Sequence, residues 1–185
     1  IRVHNEYELY VRGESPLPQE ARYFEDEFKS LAAKFKKGMV SLEGEWAVNK
    51  DWEPVAWGDK DAWARIKLDA FVRLSKTHAV VIDYKTGKKF GNEIKHAEQT
   101  QLYQLATFLR YPELETIDVE LWYTDQDDLT HMKYTRSQGM RFFQNFNQRG
   151  IAMTSAEEFP PSPNVFACKW CPYGPRGTGD CDKGV

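Results

Sequence analysis

Residues 80–88 read VVIDYKTGK, an apolar run that ends in an acid, one spacer, a lysine and then a glycine. Side chains alternate between the two faces of an extended chain, so Asp83 and Lys85 point one way while Tyr84 points the other. A buried charge is costly unless a partner uses it. Two interpretations remain open: a strand-end ion pair, or half of a hydrolytic site in which Asp83 holds a divalent metal and Lys85 serves the attacking water.

Length and composition limit the class of protein. The 185 residues fit one domain, and a content of 41% hydrophobic and 14% aromatic residues supplies a core. The net charge of -3 argues against a generally basic nucleic-acid coat but allows a nuclease, because metal-binding carboxylates subtract charge locally. No apolar run approaches the ~20 residues of a membrane span, and no signal peptide is visible. We therefore expect a cytoplasmic protein with no membrane partner.

The first residue is an isoleucine, not a methionine. We therefore expect that an N-terminal piece before Ile1 is missing, removed or disordered.

Four stretches have helical periodicity. His4 and Glu8 share one face of the first helix, so His4 is either a surface partner of Glu8 or a ligand. A serine caps the last of the four. The predicted helices are residues 1–12, 19–37, 94–109 and 137–148.

Extended segments alternate with these helices. Glu43 and Glu45 share one face of the first strand, while Leu42 and Trp46 share the other. Asp69 is a charge within an otherwise strong strand, and antiparallel pairing with the next strand would bring it towards Asp83. The predicted strands are residues 39–48, 64–74, 79–85, 117–123 and 129–135.

This order of pieces resembles the PD-(D/E)XK nuclease superfamily. Within it, the likeness is to the RecB-like branch, which also holds the exonucleases of CRISPR adaptation and many phage nucleases. The resemblance implies an α/β fold with a restriction-endonuclease-like core, in which helices flank a central mixed β-sheet. We expect a nuclease core over residues 1–155 and a cysteine-containing segment over 156–185, packed on the core. The matching pieces are VHNEYE (3–8), LEGEW (42–46), LDA (68–70), IDYKTGK (82–88) and QLY (101–103).

The resemblance also implies a role for individual residues. Asp69 and Asp83 would be the main metal ligands, and the backbone carbonyl of Tyr84 would complete the sphere. His4 would be an additional ligand from the first helix. Lys85 would be the catalytic lysine. Oxygen-rich ligands suit Mg²⁺ or Mn²⁺, and one imidazole favours Mn²⁺.

Two further positions complete the implied site. The family has a glutamate on the first strand, for which Glu45 is favoured slightly over Glu43. Gln101 would lie on the helix that reaches the site and would place the lysine or the substrate. The chain departs from the branch here, because no tyrosine stands four residues after Gln101.

The three cysteines all lie near the C-terminus, and an odd, clustered count favours a metal site in a reducing compartment over a disulfide framework. Several RecB-like nucleases have a similar trio with a fourth cysteine upstream, and residues 1–167 contain none. A four-iron cluster would then take its fourth ligand from outside this chain. Zinc and free thiols are the alternatives. The cluster ligands would be Cys168, Cys171 and Cys181.

These observations favour a metal-dependent DNA nuclease that acts as an exonuclease on DNA ends or single strands, in recombination, repair or processing. Its partners would be DNA and recombination or replication proteins, in a bacterial host cytoplasm if a phage encodes it. One alternative is a catalytically silent DNA-binding or scaffold domain on the same fold, which would be expected to lose Asp69, Asp83 or Lys85. A second is a zinc-ribbon binding protein with no metal at Asp83.

Overall fold

A computed structural model describes residues 2–87 and 89–185 of the chain. Ile1, the predicted start of the first helix, and Lys88, the last residue of the VVIDYKTGK stretch, lie outside the described residues. Two compact units divide the chain, Ile1–Phe146 and Asn147–Val185. Among the described helices, none has the length and apolar character that crossing a membrane would require.

The first unit holds most of the regular structure. Its strands are β1 (Val40–Val48), β2 (Pro54–Val55), β3 (Ala64–Arg73), β4 (His78–Lys85), β5 (Thr116–Tyr123) and β6 (Asp128–Thr135). The α-helices are α1 (Arg2–Arg12), α2 (Glu25–Lys36), α3 (Glu93–Arg110), α4 (Arg136–Gly139), α5 (Phe143–Ser155) and α6 (Val165–Trp170). Short 3-10 helices cover Gln19–Phe24 and Met140–Phe142. The boundary between the units falls within α5, and α6 belongs to the second unit.

The strands form one six-stranded sheet in the order β2-β1-β3-β4-β5-β6. Every neighbouring pair is antiparallel except β4 and β5, which run parallel with Asp83 opposite Leu121. A parallel pair needs a crossover, and α3 provides it. The mixed sheet with flanking helices confirms the predicted α/β class.

Strand alternation divides the core between the two faces of the sheet. Val81 and Val119 pack on one face, in a cluster that includes Phe108 of α3. Ile82 and Tyr84, which alternate with Val81 and Asp83 along β4, pack on the other face. The second cluster includes aromatic side chains of α1, of α2 and of β5, namely Tyr7, Phe28 and Trp122. The last residues of β4 are therefore held between α3 on one side and α1 on the other.

Strand β1 changes face half-way along its length. Leu42 packs with the α1 and α2 cluster, whereas Trp46 packs with the α3 cluster, so the prediction that they share a face is wrong. Between them, Glu43 has a φ of 50°, in the left-handed region that residues other than glycine seldom adopt. This break in alternation reorients the strand beside the candidate site.

The predicted helix 137–148 is interrupted. Thr135, not a serine, caps α4, and its side chain and that of Gln138 hydrogen-bond each other's backbone N–H groups. At the end of α4, a Cβ on Gly139 would lie 1.9 Å from Gln104 Oε1 and 2.7 Å from Phe108. Close packing against α3 therefore requires glycine there, and the chain tightens into a 3-10 turn before α5 begins.

The second unit has little regular structure beyond the end of α5. Asn164 caps α6 by accepting a hydrogen bond from the Ala167 N–H at 2.8 Å. A series of backbone turns follows, in which the Cys181 N–H donates to the Tyr173 carbonyl at 2.9 Å. None of the three cysteines forms a disulfide, and Cys168 is buried.

Candidate active site

Three carboxylates stand in one row across β1, β3 and β4. The residues on either side of Glu43 pair with those on either side of Asp69, so the register places these two acids opposite each other. The pairing of β3 with β4, extended by one residue, likewise places Asp69 opposite Asp83. Adjacent strands lie about 5 Å apart, so the row concentrates negative charge at one point of the sheet.

Asp69 is held by the backbone of the neighbouring strand. Its Oδ2 accepts a hydrogen bond from the Tyr84 N–H at 2.6 Å and lies 3.8 Å from His4 Nε2. Burial, followed by the charge of Asp83, raises the pKa of Asp69 from 3.8 to about 6, although the Tyr84 N–H and His4 oppose the rise. The donors around Asp69 therefore do not fully compensate its negative charge.

Asp83 is buried within a polar cluster at the end of β4. The Tyr103 hydroxyl donates to its Oδ1 at 2.8 Å, and Gln99 Nε2 donates to the same oxygen at 3.2 Å. Lys85 Nζ lies 2.7 Å from Asp83 Oδ2, but that oxygen receives no hydrogen bond of acceptable geometry. Burial and the negative charge of Asp83 raise the pKa of Tyr103, which keeps its hydroxyl protonated as a donor.

The glutamine that contacts Lys85 and Asp83 is Gln99, whereas the prediction placed Gln101 there. Lys85 Nζ donates to Gln99 Oε1 at 2.6 Å, and Gln99 Nε2 donates to the Tyr103 hydroxyl at 2.5 Å. Residues two apart on a helix point in nearly opposite directions, so only one of the two glutamines can face β4. The signal was present in the sequence, because Tyr103 stands four residues after Gln99.

His4 comes to the site from α1. Its Nε2 donates to the Tyr84 carbonyl oxygen at 2.9 Å, so the predicted histidine and the predicted carbonyl ligand lie side by side. Glu8, the alternative partner, pairs with Arg12 instead, at 2.6 Å. Tyr84 is fixed from the other side, since its ring packs against that of Phe28 with centroids 5.2 Å apart.

The first-strand glutamate that stands in the row is Glu43, whereas the prediction slightly preferred Glu45. Glu45 pairs across the sheet with Lys67, two positions away from the row. The charge of Glu43 contributes to the raised pKa of Asp69, and its Oε2 lies 2.9 Å from Lys67 Nζ. Alternation alone would give both glutamates the same face; the strand register and the left-handed φ of Glu43 distinguish them.

One further polar residue of α3 lies beside the site and was not predicted. His96 stands three residues before Gln99, and its Nδ1 lies 2.7 Å from the Tyr123 hydroxyl. Burial and the nearby cation of Lys85 lower the pKa of His96, which favours the neutral imidazole. Its spacing from Gln99 and Tyr103, on one helix face, was the available signal.

The donors at the end of β4 fit a hard divalent cation by their chemistry. A buried and a half-buried carboxylate, a backbone carbonyl and an imidazole are ligands that Mg²⁺ or Mn²⁺ accepts. Asp83 Oδ2, buried without a well-formed hydrogen bond, is an oxygen that a cation would satisfy. Over residues 2–87 and 89–185, no three His, Cys, Asp or Glu side chains already stand in a coordination arrangement. Side-chain adjustment would therefore accompany metal binding.

One comparison with known proteins identifies the family. The family model described as the PD-(D/E)XK nuclease superfamily matches residues 9–176. Comparison with curated proteins gave no match. A solved structure titled "Crystal structure of SSO0001" has a TM-score of 0.35 and 15% sequence identity to this chain. That similarity covers 91% of this chain and 82% of the other.

Proposed function

Because the chain belongs to the PD-(D/E)XK nuclease superfamily, we propose that it is a Mg²⁺- or Mn²⁺-dependent deoxyribonuclease that hydrolyses phosphodiesters at DNA ends or in single strands. The observation that carries the proposal is the pair of carboxylates beside Lys85, of which Asp83 is buried and Asp69 is half-buried. Burial and the charge of Asp83 disfavour the ionised form of Asp69. A divalent cation bound between the two acids would supply the positive charge that stabilises it.

Asp69, Asp83 and the Tyr84 carbonyl would hold the cation, with His4 as an additional ligand. Bound there, the metal would polarise the scissile phosphate and lower the pKa of a water molecule. His4 Nε2 already donates to the Tyr84 carbonyl, so the ligand positions of α1 and β4 are linked before any metal binds. Glu43, in the same row, adds negative charge from β1.

Lys85 would place the attacking water or stabilise the negative charge that develops on the phosphate. Its ammonium contacts Asp83 Oδ2 and Gln99 Oε1, which restrict its position from two sides. Gln99 and Tyr103 in turn fix Asp83 Oδ1, so α3 orients both the acid and the lysine. Such prior orientation lowers the cost of reaching the transition state.

We assign the chain to the RecB-like branch within this proposal. Gln99 and Tyr103 support the assignment, because they supply the glutamine-to-tyrosine spacing that is absent when Gln101 is taken as the glutamine. Exonuclease action, a phage origin, a cytoplasmic location, and recombination or replication proteins as partners are proposed from the same resemblance.

For the cysteine trio we propose a four-iron cluster completed by a ligand from outside this chain, with zinc and free thiols as alternatives. The backbone turns that follow α6 support it, because they return Cys181 to hydrogen-bond Tyr173, two residues after Cys171. Its role would be to hold the C-terminal segment rather than to catalyse. Anaerobically purified full-length protein should be brown and contain iron, and a colourless, iron-free preparation would remove the idea.

The experiment for the proposed function incubates the protein with linear and circular DNA, single- and double-stranded, in Mg²⁺ or Mn²⁺. Asp83→Ala and Lys85→Ala are assayed beside it. Degradation of linear but not circular DNA by the wild type alone is the expected result. Equally inert wild type and variants would reject the proposal in favour of a silent DNA-binding domain.

A further inference from the structure

The second unit exposes aromatic rings instead of burying them. Phe166 and Trp170 stand four residues apart on α6, on one face of the helix, and are 84% and 80% exposed. Tyr173, in the turn that follows, is 61% exposed. Large apolar side chains normally leave water on folding, so a cluster of exposed rings indicates a surface that contacts something else.

Positive charge accompanies these rings. Lys169 Nζ lies 5.0 Å from the centroid of the Trp170 ring. Lys169 and Arg176 line the same cavity, of about 260 Å³, which is large enough for a phosphate group. The sequence from Phe159 to Gly179 contains these two cations and no acidic residue. An anion bound by residues 159–179 would meet these two cations, and the nearest acids along the chain, Glu158 and Asp180, flank the segment.

We propose that this surface, defined by Phe166, Lys169, Trp170, Tyr173 and Arg176, binds single-stranded DNA. Exposed rings stack on unpaired bases of any sequence, and interleaved cations neutralise the phosphates between them. Duplex DNA buries its bases in the helix stack and offers the rings nothing to stack on. The proposal rests on the proposed function, since it names the form of DNA that the nuclease would hold.

The test measures binding without hydrolysis. The full chain is titrated into a 5′-fluorescein-labelled (dT)20 oligonucleotide in EDTA, and fluorescence anisotropy gives Kd. We expect Phe166→Ala/Trp170→Ala to raise Kd at least about tenfold, because each stacked base contributes about 1–3 kcal/mol. Trp170→Phe, which keeps a ring, should bind within about threefold of the wild type. An unlabelled blunt duplex should compete poorly.

Phe159→Ala is the matched control. Phe159 is an equally exposed ring of the same unit, 77% exposed, but it follows two acids, Glu157 and Glu158. Its variant should bind (dT)20 as the wild type does.

A second measurement does not depend on the aromatic variants folding. Lys169→Ala/Arg176→Ala should reduce the slope of log Kd against log salt by about 1.4, since each single-strand phosphate contact contributes about 0.7.

The outcomes separate this proposal from the proposed function. Equal affinity of wild type and both double variants for (dT)20, or no binding by the wild type, overturns the single-strand surface even if DNA is hydrolysed. Equal loss of single-strand and duplex binding in the aromatic double variant also overturns it. Selective loss of single-strand binding in a chain that hydrolyses no DNA supports the surface and rejects the nuclease.

Discussion

The sheet contains two buried acidic centres that are built in opposite ways. In the first, Asp69 of β3 lies close enough to Asp83 of β4 for the charge of Asp83 to raise the pKa of Asp69, and a lysine lies beside Asp83. In the second, Asp118 of β5 lies between histidines of the two neighbouring strands. His131 Nε2 donates to Asp118 Oδ1 at 2.6 Å, and His78 Nε2 donates to Asp118 Oδ2.

The two arrangements have opposite electrostatic consequences. Burial alone would raise the pKa of Asp118, but hydrogen bonds from His78 and His131 more than offset it and lower that pKa. Burial and a neighbouring carboxylate raise the pKa of Asp69 to about 6, against a weaker effect of its own hydrogen-bond donor. A carboxylate with both oxygens satisfied stabilises the fold, whereas a pair without enough positive charge costs stability until a cation binds.

The largest expected difference between the two centres is in catalysis. Asp83→Asn should lower kcat/KM for DNA hydrolysis at least about 1,000-fold, since a metal ion supplies several kcal/mol of transition-state stabilisation. Asp118→Asn, the matched change at the other centre, should leave kcat/KM within about threefold. Initial rates on one linear substrate check both. Equal losses would mean that the centres do not differ in function.

The next difference is a gain of stability at the candidate active site. In EDTA at pH 7, Asp69→Asn should raise the free energy of unfolding by up to about 3 kcal/mol, because a pKa rise from 3.8 to about 6 costs the ionised acid about that much. The folded protein binds more protons than the unfolded one between these values. Wild-type stability should therefore fall relative to the variant as pH rises from 3.8 to 6, and denaturant unfolding at several pH values measures it. An Asp69→Asn protein less stable than the wild type at pH 7 would contradict the claim that ionised Asp69 costs stability when no cation is bound.

Asp118→Asn should have the opposite sign. It replaces charge-assisted hydrogen bonds to two histidines, so the free energy of unfolding at pH 7 should fall by about 2 kcal/mol. The lowered pKa means that this stability is present above the unfolded value of 3.8 and is lost as pH falls through the folded value. The same unfolding series should show the deficit shrinking below pH 3.8. A variant as stable as the wild type at pH 7 would remove the contrast.

The smallest expected effect tests which glutamine of α3 belongs to the Asp69 and Asp83 centre. Gln99→Ala should lower kcat/KM about tenfold, because Lys85 loses one of its two contacts and Asp83 loses a donor. Gln101→Ala, on the same helix, should stay within about twofold. Steady-state kinetics on linear DNA distinguishes them, and a larger loss in Gln101→Ala would restore that glutamine to the site.

Local patterns in the sequence were sufficient to predict most of the sheet. Apolar alternation placed Asp83 and Lys85 on one face, and antiparallel strand order predicted the approach of Asp69 to Asp83. The five predicted strands and the helix between β4 and β5 lie within one or two residues of their predicted bounds, whereas the two-residue strand β2 was not predicted. These features depend on the spacing of apolar residues along the chain, which can be read from a single sequence.

The errors arose where local pattern does not decide the geometry. A left-handed φ breaks the alternation of β1, so Glu43 and Glu45 could not be separated from the sequence. The choice between Gln99 and Gln101 depends on which face of α3 packs on the sheet. The Asp118 centre joins β5 to its hairpin partner β6 and to β4, whose His78 lies 40 residues before Asp118, and no spacing rule indicates it.

The central claim is that the Asp69 and Asp83 centre binds a divalent cation and the Asp118 centre does not. Isothermal titration of Mn²⁺ into wild-type, Asp83→Asn and Asp118→Asn proteins tests it most directly. We predict that the wild type and Asp118→Asn bind Mn²⁺ with the same affinity, and that Asp83→Asn binds at least about tenfold more weakly. Equal affinity in all three proteins, or loss of binding in Asp118→Asn alone, would contradict the account.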